Sequence, residues 1–152
     1  MLLGAFAAGV LIRVLLRTGE PAAVEVVEAK LDGLGFGFLV PVFFIYTGVT
    51  FDLDALLDTP TTLALLPTFL VLFVLVRGIP ATVAAPAGAG FTERAAIALF
   101  AATGLPIIVA VTTIGLDHGE LSRSTAAALV GAGMLSVLVF PLLAVARRTR
   151  GG

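Results

Sequence analysis

The stretch TTLALLPTFLVLFVLVRGIPATVAAP, residues 61–86, decides the fold class of this chain. It is uncharged for 16 residues, from Thr61 to Val76, meets a single charge at Arg77, and then stays apolar through Ile79, Ala81, Val83, Ala84 and Ala85. Only helices and closed barrels satisfy every backbone polar group inside hydrocarbon. Barrel strands alternate apolar and polar residues, and the run from Phe69 to Val76 does not alternate. The stretch therefore predicts a membrane-spanning helix. A charge at the centre of a bilayer costs about 2.5–3.5 kcal/mol on insertion scales, so it persists where an acid, a carbonyl or a watery path compensates it. Arg77 has two readings. It is a positive charge set in a membrane core, or it flanks a helix that ends near Ile79 and snorkels to the headgroups.

Working outward, residues 95–116 form a run of 22 and residues 124–146 a run of 23, both without a charge. Upstream, residues 34–51 make an uncharged run of 18, and the chain is apolar from its first residue to about residue 16, apart from Arg13. A crossing needs about 20 apolar residues, so the last three spans are comfortable and the first two marginal. The first span lacks the basic start and small-residue cleavage site of a signal peptide; it reads as a membrane helix that begins abruptly, as if its start were missing. Between the first two spans, Val24, Val27 and Leu31 share one helical face and Glu25, Glu28 and Asp32 another. This predicts an amphipathic linker helix at about residues 20–32, either lying on the membrane surface or solvated. Thr59 before Pro60, Thr92 with Glu93, and Ser122 are candidate helix starts.

The composition agrees. Of 152 residues 59% are hydrophobic and 12% charged, where a soluble domain carries about 25% charged residues. A net charge of −1 offers no field for nucleic acid. With no cysteine and one histidine, a thiolate or multi-histidine metal site is excluded, and no cofactor is expected. Hydrolase and Walker signatures are absent, which speaks against an enzyme. Basic residues favour the cytoplasmic side. With the C-terminus inside, five crossings put Arg13, Arg17, Lys30, Arg94, Arg147, Arg148 and Arg150 in the cytoplasm and only Arg123 outside. The outer loops then hold Asp52, Asp54, Asp58, Asp117, His118 and Glu120.

Beside Arg77, the candidate functional feature is Thr103-Gly104-Leu105-Pro106 in the middle of the fourth span. Gly and Pro there free carbonyls and weaken the helix. The result is either a plain proline kink or a true interruption of the kind with which transporters present helix ends to ions. Thr47-Gly48, Gly131 and Gly133 read as close helix packing. Asp52 and Asp54 read as a capped outer turn, and His118 as a solvated loop histidine. No Asp or Glu lies inside the long apolar spans, so a carboxylate partner for Arg77 must come from outside this chain.

The segment LGFGFLVPVFFIYTG, residues 34–48, resembles the Phe-Phe-x-x-x-Gly helix of bacterial monovalent cation:proton antiporters, the Kef-like and sodium/proton exchangers. Val76-Arg77-Gly78-Ile79-Pro80 resembles the core helix that carries a basic residue in that family. Phe91-Thr92-Glu93-Arg94 leading to Thr103-Gly104-Leu105-Pro106 resembles the interrupted helix that follows, and Ser124–Val130 the last core helix. The resemblance runs along nearly the whole chain in the same order. It implies an all-α, polytopic membrane protein of about five transmembrane helices, forming one inverted-repeat half of an antiporter fold. Residues 1–58 would be scaffold or interface helices and residues 59–152 the core domain. It also implies the bilayer, protons and a monovalent cation (Na+ or K+) as partners, and a homodimer formed through the scaffold. The family's ion-binding carboxylates lie in the other half, so a missing N-terminal half or a partner subunit is expected to supply them. A non-transporting fragment or packing subunit is the alternative. The expected location is the inner (plasma) membrane.

Overall fold

The computed structural model describes residues 2–17 and 21–150, with side chains from residue 3 to 16 and from 23 to 146. The side chains of Arg17, Arg147, Arg148 and Arg150, which enter the charge asymmetry, lie outside the described residues. Among the described residues every regular element is helical. The chain divides into two compact units, Met1–Val49 and Thr50–Gly152.

In the first unit, α1 covers Leu2–Arg17. Its 16 residues reach about 24 Å, short of a hydrocarbon core of about 30 Å. The next helix, α2 (Pro21–Leu34), passes through a π-helical segment, Gly35–Leu39, into α3 (Val40–Val49). The linker expected near residues 20–32 is thus helical but not separate. It continues into the second span, giving one candidate crossing, Ala23–Val49. No residue between Asp32 and Val40 terminates the helix, and the proline that follows is absorbed by a wider turn. There the Val40 N–H donates to Gly35 O, five residues back, which leaves room for the Pro41 ring. Thr47 is buried, and its hydroxyl has no hydrogen-bond partner among the described residues.

The second unit begins with a short α4 (Leu53–Leu57), capped by Asp52, whose carboxylate accepts from Ala55 N at 2.9 Å. The third span, Pro60–Ala84, is continuous. It comprises α5 (Pro60–Phe73), a π-helical segment Val74–Gly78, α6 (Ile79–Ala81) and a 3-10 turn Thr82–Ala84. Thr59 caps it as the sequence predicts, accepting from Thr62 N, with Pro60 in the first helical position. The fourth span, Phe91–Asp117, is made of two helices, α7 (Phe91–Ala102) and α8 (Leu105–Asp117). Its start departs from expectation. Gly90 is the cap and Thr92 already lies inside the helix, so Thr92 does not cap it. Arg94 ties down this corner, donating to Ala89 O at 3.1 Å and Thr82 O at 3.4 Å. A cation is poorly placed in a helix's first turn, and these carbonyls offset that.

The last helix, α9 (Arg123–Arg150), is the axis of this unit. Ser122 caps it, accepting from Thr125 N at 3.1 Å. Its buried face consists of small residues, Ala126, Ala127, Ala128, Ala132, Ser136 and Ala144, with Phe140. Small residues let helix backbones approach closely where lipid removes any hydrophobic drive for association. A β-carbon on Gly133 would stand 2.9 Å from Leu105 Cδ1, and one on Gly131 3.2 Å from Leu66 Cδ2, so α9 touches α8 and α5 through its glycines. Phe73, Ala102, Ala132 and Phe140 close the core between α5, α7 and α9. Large apolar side chains such as Val71, Leu72, Leu75, Ile107, Val111, Leu138 and Leu142 face outward, as a lipid-facing surface requires.

Candidate functional site

The fourth span is interrupted, not merely kinked. Helix α7 stops at Ala102; Thr103 is extended (φ −75°, ψ 134°) and Gly104 also leaves the helical region. The Thr103 N–H and hydroxyl both donate to Phe100 O, at 3.2 and 2.6 Å, which closes the end of α7. Leu105 and Pro106 already belong to α8, with Pro106 in its first turn, where a missing N–H leaves nothing unsatisfied. Of the four residues singled out in the sequence, Thr103 and Gly104 form the break and Leu105 and Pro106 restart the helix. Leu105 is fully buried, and Gly104 O accepts from Ile108 N at 3.2 Å. Gly104 has 13 residues of the span on either side. It therefore lies at mid-depth, about 20 Å from each end of the span.

Arg77 comes to this point from the third span. That helix does not end near Ile79; it runs seven residues past Arg77 to Ala84. The Arg77 guanidinium occupies the space a side chain at Gly104 would fill. A β-carbon built there collides with its Nη1 and lies 2.9 Å from its Cζ. Gly78 makes the approach possible: a β-carbon on it would stand 2.7 Å from the carbonyl oxygen of Ala98, so α7 and the third span meet backbone to backbone. The fold thus brings together two features that lie far apart in sequence, the lone charge and the helix break.

The electrostatics of the spot follow from its parts. The C-terminal end of α7 presents carbonyls and the N-terminal end of α8 presents N–H groups, partial charges of opposite sign. Arg77 adds a full positive charge on a face of this chain that is open. Among the described residues it has neither an ion-pair partner nor a hydrogen bond. The acids of the same span are Glu93, in the first turn of α7, and Asp117, at the end of α8. Each lies about 16–20 Å of helix from Gly104. No group of three or more His, Cys, Asp or Glu able to hold a metal occurs among the described residues.

The remaining candidates fall elsewhere. His118 is exposed at the end of α8, and Asp52 and Asp54 serve the start of α4. Gly78 and Pro80 read in the sequence as a steric break of the third span, but the span is continuous. Sequence reasoning missed the contact of Gly78 with Ala98, which depends on tertiary packing, and the wide turn around Arg77. The available signal was the spacing Gly78-Ile79-Pro80, a glycine two residues before a proline inside a span.

The profile of a family described as "Sodium/hydrogen exchanger, transmembrane" matches residues 1–145. A Bacillus subtilis (strain 168) protein described as "Putative Na(+)/H(+) antiporter YjbQ" is 30% identical over 141 residues, 93% of this chain. The chain spans 22% of that relative's length. No solved structure gives a significant match.

Proposed function

The chain belongs to the transmembrane sodium/hydrogen exchanger family, and from that membership we propose that it is part of a secondary active transporter exchanging protons for monovalent cations. The observation that carries the site assignment is the Arg77 guanidinium set against Gly104 at the mid-span break. Antiport needs one site that takes a proton or a metal cation, never both together. A carboxylate from a missing N-terminal half or a partner subunit is that site. Arg77 balances its negative charge when no ion is bound. The helix ends at Thr103 and Gly104 offer carbonyls and N–H dipoles to the same space.

In this reading residues 59–152 are core helices and residues 1–58 scaffold or interface helices. The protein lies in the plasma membrane with its C-terminus inside. Sodium is the preferred candidate cation, because the relative's name specifies Na+; potassium is the competing one. The test is dye-reported proton flux in proteoliposomes holding the full-length protein, with Na+ or K+ as the driving ion. Stranding one member of a charge pair costs roughly 3–5 kcal/mol, so Arg77→Ala is expected to abolish or strongly reduce exchange. Wild-type flux together with wild-type melting in that variant would remove Arg77 from the ion path.

A further inference from the structure

We infer that Pro80 is a positioning residue that holds Arg77 in register with the break at Gly104, an inference that rests on the role of Arg77 proposed above. In a regular α-helix the Pro80 ring would clash with the carbonyl of Val76, four residues back. The third span avoids the clash by widening. The Ile79 N–H donates to Val74 O, five residues back, and Val74–Gly78 forms a π turn with Arg77 inside it. Ile79 is then spent on Val74 and Pro80 has no N–H to give, so Leu75 O and Val76 O both lose the donors that a regular helix would supply.

The same arrangement occurs in the first unit. There Gly35–Leu39 is the π turn, Val40 N–H donates to Gly35 O, and Pro41 follows. Two other helix-interior prolines, Pro67 and Pro141, lie in ordinary α-helix. The difference is glycine. Gly35 and Gly37 precede Pro41, and Gly78 precedes Pro80, whereas the six residues before Pro67 or Pro141 contain none. Glycine accepts the wider turn readily; proline then locks it.

The consequence for Arg77 is angular. A π turn holds more residues than the 3.6 of an α turn, so each residue advances by a smaller angle about the axis. Phe73, just upstream, is fixed in the core. Relaxing residues 74–78 to an α-helix while Phe73 stays put swings Arg77 around the axis by roughly 60°. That takes the guanidinium away from the notch at Gly104.

The test uses the full-length transporter with Pro80→Ala, Arg77→Ala and the double variant. Ala is a better helix former than Pro, which offsets the packing lost where the relaxed turn carries Gly78 off Ala98 O, so Pro80→Ala is expected to melt near wild type, and exchange is scored per folded protein. Its exchange is expected to fall at least about tenfold, toward the level of Arg77→Ala, and the double variant to be no worse than Arg77→Ala alone. The substitution also gives position 80 a backbone N–H. In nanodiscs that new amide is expected to be protected from hydrogen exchange by Val76 O, the signature of a relaxed α turn. Wild-type exchange in Pro80→Ala beside a disabled Arg77→Ala overturns the inference. So does a double variant whose losses multiply, or an unprotected amide at position 80 of the Pro80→Ala variant. Wild-type exchange in Arg77→Ala instead overturns the reading of Arg77 itself, and with it the positioning role.

Discussion

A guanidinium and a glycine meet where two spans touch, and each accounts for the other. Gly104 has no side chain, so Arg77 reaches the middle of the neighbouring span. Gly104→Ala is therefore expected to displace the guanidinium and cut exchange at least about tenfold, with melting close to wild type because the β-carbon meets a flexible side-chain end. Flux measured beside thermal unfolding checks this; normal flux would show that Arg77 acts from elsewhere. The sequence identified both residues but could not join them, since 27 positions of chain separate them. Their contact depends on how the third span packs on α7, which one backbone atom of Ala98 and the bare Cα of Gly78 decide.

At the level of the element, α9 holds the second unit together through small residues, and its packing is sensitive to size. Gly133→Val would drive a branched side chain into Leu105 and Ile108. Overpacking of this kind destabilises by about 1–3 kcal/mol, which thermal unfolding in detergent will read as a lowered midpoint. Thr59→Ala removes the acceptor for Thr62 N at the start of α5 and is expected to cost about 1 kcal/mol in the same assay. An unchanged midpoint would mean that water replaces the cap at the membrane surface. The caps at Thr59 and Ser122 were legible because side-chain chemistry and proline placement are local signals. The cap at Gly90 was not, because Gly90 has no side chain to announce it and Thr92 offers a plausible decoy.

For the whole molecule, the alternation of spans places the turn between Leu57 and Pro60 and the turn between Asp117 and Arg123 on one side, and residues 85–90 on the other. The sequence contains no cysteine, so single cysteines introduced into this chain report its topology. Asp54→Cys and Glu120→Cys are expected to react with an impermeant thiol reagent added outside intact cells, and Ala87→Cys only after the membrane is opened, each scored against the cysteines of the parent protein. The reverse pattern would invert the proposed orientation. Because α2 runs unbroken into the second span, Lys30 lies on the same continuous helix as that span.

Hydropathy, charge and the order of motifs were enough to read a helical, multi-pass membrane chain of the exchanger type. Burying apolar runs in lipid is a property of composition and period, and both are written residue by residue. Packing alone decided that the fourth span breaks instead of bending and that the one charge of the third span ends at the break. A kink and an interruption share the same Gly-x-Pro letters. Which of them forms depends on whether a neighbouring helix fills the gap, and that neighbour arrives only when the chain has folded.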